Sequence, residues 1–191
     1  KKRVMSKHDD LNLYKGIALR KKQLQKNPVD STIYYPETKN QKRLMFSEGL
    51  QDFKEREGQF QMMDAIWQTF QAENELAIEA STGIGKTLSY LIPSYFHAKQ
   101  QGKKVLISTY TSHLMEQLFE VEVPKLEAIV NSKVNVAILK GARHYLDLHR
   151  FEELLRAEDE SYDDTFAICQ ILVWLTRTQT GDVGELNVSS G

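Results

Sequence analysis

Apolar residues recur along this chain with two periods, and the switches between them mark out elements. Phe60, Met63, Ile66, Trp67 and Phe70 fall on one face at helical spacing, within a helical stretch over 44–72 that Gly49 and Gly58 punctuate. Leu76-Ala77-Ile78 is a short apolar run of buried-strand length. Leu88, Leu91 and Ile92 return to helical spacing and predict a helix from Thr87 toward Lys99, in which Pro93 should produce a kink or shift; Gly102 ends it. Val105-Leu106-Ile107 predicts a second short strand, and a helix over Leu114–Phe119 follows, N-capped by Thr111 or Ser112. Pro124 opens a further helix, and Val134, Val136 and Ile138 alternate as a third strand. Leu148, Phe151, Leu154 and Leu155 mark an amphipathic helix. From Thr165 to Thr176 the pattern is apolar nearly all round, as in a helix that is deeply buried or covered from outside, and Cys169 within it reads as a buried, inert thiol. The succession strand, loop, helix, strand from Leu76 to Ile107 is that of a βαβ unit, which predicts an α/β fold with a short parallel sheet and a right-handed crossover.

Length and composition narrow the class. A chain of 191 residues can bury one core, and it contains no apolar run of about 18 residues that would span a membrane. Its first residues, Lys1-Lys2-Arg3-Val4-Met5-Ser6, lack the apolar stretch of a secretory signal. The single cysteine fits a reducing, cytoplasmic setting. Charge is near balance overall but unevenly spread: residues 1–43 hold 12 Lys/Arg against 4 Asp/Glu, whereas the rest is acidic. Residues 1–43 therefore read as a basic connector, solvated or in contact with nucleic acid. It has short alternation at Leu11, Leu13, Ile17 and Leu19, a break at Arg20-Lys21-Lys22 and Asn27-Pro28, and an extended Tyr34-Tyr35-Pro36. Residues 178–191 are polar.

The chemistry concentrates between the first predicted strand and the helix after it. Ala80-Ser81-Thr82-Gly83-Ile84-Gly85-Lys86-Thr87-Leu88 has the make-up of a phosphate-binding loop. Glycines let successive backbone N–H groups turn toward phosphate oxygens, and the helix N-terminus adds partial positive charge. Lys86 reaches the β- and γ-phosphates of ATP and Thr87 offers its hydroxyl to Mg²⁺, so these two are the expected catalytic pair. The general pattern has Gly where this chain has Ala80. Upstream stands Phe53-Lys54-Glu55-Arg56-Glu57-Gly58-Gln59. A Gln amide supplies the donor and acceptor that an adenine edge needs, and an aromatic ring and an Arg can stack on a base. Ser108-Thr109-Tyr110-Thr111-Ser112 sits where hydroxyls and N–H groups could hold a nucleic-acid phosphate or simply cap a helix. A P-loop ATPase also needs a carboxylate after a second buried strand, to hold the metal and place the attacking water. No apolar strand here ends in an Asp-Glu pair, since Asp159-Glu160 and Asp163-Asp164 lie in polar breaks.

The order of these motifs resembles a known family. The Ala-Ser-Thr-Gly-Ile-Gly-Lys-Thr run resembles motif I of superfamily-two helicases, and the Gln59 region resembles their Q motif. Ser108 through Leu118 resembles the motif Ia that grips single-stranded DNA. With Leu139-Lys140-Gly141-Ala142-Arg143-His144-Tyr145-Leu146 and Trp174 to Leu186, the set is similar to the DinG branch of the XPD/DinG DNA helicases, over roughly Phe53 to the C-terminus. The resemblance implies a partial RecA-like domain over 44–191 with a helical insertion at about 142–178. Residues 80–88 would bind ATP and Mg²⁺, with Gln59, Arg56 and Phe53 at the adenine. Thr109, Thr111, Gln117 and Arg143 would meet single-stranded DNA. It implies a parent with a second RecA-like lobe and, as in Gram-positive members, a 3′–5′ exonuclease domain ahead of it. Iron–sulfur members carry a cysteine where this chain has Asp147, and a cluster needs about four thiolates, so none is expected here. Without the second carboxylate motif the chain is expected to hold nucleotide but to be inactive alone. Two other readings stand beside this one: a module that guides nucleic acid to a nuclease without unwinding it, and an unrelated P-loop nucleotide-binding enzyme.

Overall fold

The computed structural model describes residues 28–156 and 162–186, without the side chains of 162–164. The described residues divide into two compact units, one within Gln25–Ile138 and the other within Leu139–Gly191. The expected strand-like alternation at Leu11–Leu19 and most of the basic connector lie outside the described residues.

In the first unit, α1 (Lys39–Gly49) starts at a capping box: the Thr38 hydroxyl accepts from the Gln41 N–H at 3.2 Å and the Gln41 side chain accepts from the Thr38 N–H at 2.9 Å. After a break, α2 (Glu57–Ala72) packs along α3 (Lys86–Gln101), which Pro93 does not end. The short α4 (Ser112–Gln117) is capped by the Thr111 hydroxyl, which accepts from the Leu114 N–H at 3.2 Å. It continues through a π-helical turn, Leu118–Glu122, into α5 (Val123–Val130), with Pro124 in the first turn, where no intrahelical N–H is needed. The helical stripe predicted from Phe60 to Phe70 does enter a core, where Phe60 and Met63 meet Phe46, Leu91, Ile92, Phe96, Leu126 and Ile129. α1 and α5 approach so closely that a Cβ on Gly49 would lie 2.4 Å from the Ile129 Cα.

The segment ahead of α1 is tied to this body. Tyr35 stacks on Trp67 at 4.5 Å between ring centroids and donates its hydroxyl to Asp64 at 3.1 Å. Lys42, only 1% exposed, bridges Asp64 at 2.7 Å and donates to the Glu37 carbonyl at 2.9 Å. Burial, with the Asp64 carboxylate alongside, pushes the Tyr35 phenol far above its usual range.

The expected parallel sheet is not there, and the α/β assignment is corrected. Among the described residues there is no β-strand; the sole bridge is an isolated antiparallel one between Tyr145 and Asp182. Leu76–Ile78, Val105–Ile107 and Val134–Ile138 are irregular segments without ladder partners, so the βαβ crossover falls with them. The reason is physical. An apolar run of strand length shows that side chains have surface to bury, but a strand exists only where a neighbouring backbone takes up its N–H and C=O groups. Here several of the apolar side chains remain in the open, Leu106 at 87% exposure together with Leu76, Ile78 and Val136, while Ile107 and Val134 pack on the core without any ladder.

The second unit is built on α6 (Leu148–Arg156) and α7 (Tyr162–Leu175). Phe151 and Leu155 of the predicted amphipathic stripe pack with Ile168, Leu175, Leu146 and Trp174. α7 is not buried all round as its pattern allowed. One face packs, while Phe166 and Val173 are exposed and so is Cys169, which corrects the expected buried thiol. An all-round apolar helix can bury any face, but a single partner helix covers only one. The polar stretch after α7 is held by side chains. Glu185 accepts from the Trp174 indole at 3.0 Å and from the Thr178 and Thr180 hydroxyls at 2.7 and 2.6 Å, with Lys140 bridging Asp182 at 2.7 Å. Those donors, Thr180 first, hold the Glu185 carboxyl below its ordinary value.

Candidate nucleotide-binding loop

The loop before α3 has the backbone that a phosphate cradle requires. Gly83 and Gly85 sit at φ +82° and +86°, the left-handed region that favours glycine, and Gly85 is the N-cap of α3. The N–H groups of Lys86, Thr87 and Leu88 open the helix and have no carbonyl one turn back within it, so they form a donor set at its positive end. The first intrahelical bond runs from Ser89 N–H to the Gly85 carbonyl at 3.2 Å.

Lys86 turns its ammonium back on the loop, donating to the carbonyls of Ala80 at 3.0 Å and Ser81 at 2.9 Å. Thr87 hydrogen-bonds the Tyr90 phenol, whose pKa is nonetheless raised, chiefly by burial. Leu88 sends its side chain into the core and has only its backbone to offer a ligand. Ser81 and Thr82 are exposed; Ala80 and Ile84 are half-buried, and the tip of Ile84 approaches Gly58. The donor set fits a polyphosphate. For a metal ion it supplies one hydroxyl, that of Thr87, and among the described residues no group of three or more His, Cys, Asp or Glu could hold one. A divalent ion here would thus share the phosphates' own oxygens.

Gln59 and the loop, 26 positions apart in sequence, are brought together. Gln59 is 2% exposed and its amide donates to the Gly85 carbonyl at 3.2 Å. Arg56 is exposed at the N-cap of α2, and its carbonyl takes the Gln59 N–H at 3.0 Å. Phe53 is engaged inside the protein, stacked on Phe46 at 4.8 Å and Phe60 at 6.3 Å. Ser89 escaped the sequence reading. It is fully buried and also bonds the Gly85 carbonyl, through its hydroxyl at 3.0 Å. A serine inside a helix, four positions after a loop glycine and among apolar neighbours, was the signal available.

Three of the residues expected at DNA lie in the first unit and one in the second. Thr111 spends its hydroxyl oxygen on the α4 cap, the Thr109 hydroxyl donates to the Thr111 carbonyl at 3.2 Å, and Gln117 is exposed at the end of α4. Arg143 belongs to the other unit, exposed in a 3₁₀ turn at Ala142–His144.

A loop of this geometry ahead of a helix, with a glutamine locked to it, defines a nucleotide-binding protein. The match to known families is specific: residues 57–170 fit the DEAD/DEAH box helicase model, and the chain belongs to that family. Within it the similarity runs to DinG. A Bacillus subtilis protein named 3′-5′ exonuclease DinG is 44% identical over 155 residues, covering 81% of this chain and 16% of that protein. Staphylococcus aureus proteins of the same name are 32% identical over 136 residues, covering 71% of this chain and 15% of theirs. The chain therefore spans about one sixth of the length of these relatives. No solved structure matches it. The family is one of ATP-using helicases.

Proposed function

We propose that this chain is the ATP-binding part of a DinG-like, ATP-dependent DNA helicase that acts in DNA repair or processing. The observation that carries the proposal is the loop itself: two left-handed glycines, a first helical turn of unpartnered N–H groups, and Lys86 at their centre. Residues 80–88 hold the phosphates of Mg²⁺-ATP, Lys86 neutralises them, Thr87 ligates the ion, and Gln59 reads adenine with Arg56 near the base. The Phe53 ring stacks on Phe60, the neighbour of Gln59 along α2. Thr109, Thr111, Gln117 and Arg143 meet single-stranded DNA. With Cys169 as its one cysteine, the chain supplies no thiolate set for an iron–sulfur cluster. The carboxylates that place water, the second lobe and an upstream 3′–5′ exonuclease domain belong to the longer parent, so this portion alone turns over no ATP. Residues 1–43 connect the two, and about 142–178 is inserted in the helicase part. No helix among the described residues is long and apolar enough to cross a membrane, in keeping with a cytoplasmic parent.

The exonuclease name of the relatives favours a second reading, in which the helicase part guides DNA to a nuclease without unwinding it. ATP hydrolysis by the full-length parent separates the two. In the motor reading, single-stranded DNA stimulates turnover, and Lys86→Ala lowers it by about 10²–10³-fold, the effect of losing one preorganised charge at a reacting phosphate. DNA binding without turnover, with nuclease activity intact in Lys86→Ala, would leave only the guiding module. Turnover indifferent to DNA would overturn both readings.

A further inference from the structure

The Gly85 carbonyl is held by three donors: the Ser89 N–H at 3.2 Å, the Ser89 hydroxyl at 3.0 Å and the Gln59 amide at 3.2 Å. Gln59 and Ser89 are both buried, so the oxygen points into the protein. The fit is close enough that a Cβ on Gly85 would fall 2.3 Å from the Gln59 amide nitrogen. A trans peptide is planar, with its C=O and N–H directed oppositely. The other half of the Gly85–Lys86 peptide is the Lys86 N–H, one of the first-turn donors. Fixing the oxygen inward therefore fixes that N–H outward, into the cradle.

We infer that Gln59 and Ser89 are positioning residues for the phosphate loop, aiming the Lys86 amide at the ligand through the Gly85 carbonyl, independently of any nucleobase. The inference rests on the ATP-binding reading and adds a role that reading does not contain. A Gln amide has two hydrogens and an acceptor oxygen, so bonding Gly85 leaves one N–H and the oxygen for a base. Adenine and the phosphate loop are then joined by one side chain, and the Gln59 contribution persists when the base is removed.

Inorganic tripolyphosphate with Mg²⁺ is the probe, since it has the phosphates of ATP and no base. Calorimetric titration of the 191-residue chain, wild type, Gln59→Met and Ser89→Ala, is run with tripolyphosphate and with ATP. Each variant should weaken tripolyphosphate about five- to tenfold, the worth of one hydrogen bond at the upper end of its usual range. Gln59→Met should weaken ATP by at least the same factor. In ligand-free ¹⁵N–¹H correlation spectra both variants should move the Lys86 amide resonance while the thermal transition is retained. Tripolyphosphate affinity unchanged in Gln59→Met, with ATP weakened, would make Gln59 a base reader alone and overturn the inference. If Gln59→Met loses its thermal transition, Ser89→Ala decides by the same criterion, because its side chain is buried beneath the loop. A wild-type chain that binds neither ligand overturns the ATP-binding reading and the inference together. Binding of both ligands by wild type with unaltered affinity in both variants removes the inference alone.

Discussion

The Nδ1 of His97 is the one buried side-chain nitrogen or oxygen without a hydrogen-bond partner among the described residues. Its ring stacks on Phe70 at 4.6 Å, an apolar setting that suits a neutral imidazole. Burial lowers its pKa below the ordinary 6.5, and Lys103 adds to the effect while Glu73 opposes it. The sign follows from proton uptake. In the window just below pH 6.5 the unfolded chain binds a proton that the folded site refuses. The contribution to stability is therefore whole above pH 6.5 and is lost as pH falls toward the lower folded value. The melting temperature should drop over that interval, and His97→Phe, which keeps an aromatic on Phe70, should flatten the drop. An unchanged pH profile in His97→Phe would place the dependence elsewhere. At this scale the sequence singled out Lys86, Thr87 and Gln59, whose types and spacing suit phosphate and amide chemistry, and Gln59 does lie against the loop. It was silent on His97, Ser89 and Lys42, because each takes its meaning from a neighbour distant along the chain. Lys42 shows it most directly: a charged residue in a basic stretch reads as solvated, yet Asp64, 22 positions on, lets it be buried.

Helices were legible where an apolar stripe coincided with chemical punctuation. The Phe60–Phe70 stripe lies within α2, Thr111 is the cap of α4, and Pro124 sits in the first turn of α5. The three strands were misread because pairing is a property of two segments, and an alternating run such as Val134, Val136, Ile138 describes one. Gly49 illustrates another limit. It reads as punctuation, whereas its actual constraint is the α5 backbone pressed against it, with Ile129 Cα at 2.4 Å and Ala128 C at 2.8 Å from any added Cβ. Backbone cannot give way as a side chain can, so Gly49→Ala must push α1 from α5. A loss of about 2–3 kcal/mol in urea unfolding is expected, in the range of overpacked cores. A loss under about 0.5 kcal/mol, the level of ordinary surface changes, would show that α1 and α5 do not meet as described.

At the level of the whole molecule, the two units have separate cores of unequal size, eleven buried residues in one and four in the other among the described residues. Each contains one of the two tryptophans, Trp67 and Trp174. Fluorescence can thus follow each core singly, with Trp174→Phe reporting on Gln25–Ile138 and Trp67→Phe on the remainder. Less buried apolar surface means less stabilisation to offset chain entropy, so the Trp174 signal should change at lower urea than the Trp67 signal. Coincident midpoints would mean that the chain unfolds as one cooperative body. Division into two units was not legible as such. The partition falls after Ile138, the last position of the apolar alternation that read as a third strand.

The two carbonyls that receive the Lys86 ammonium give the loop a sense of valence. A visitor that captures this lysine must replace both oxygens at once, which a halide, having none, cannot do. A chain of phosphates presents several oxygens within reach of the same nitrogen and of the three amides beside it.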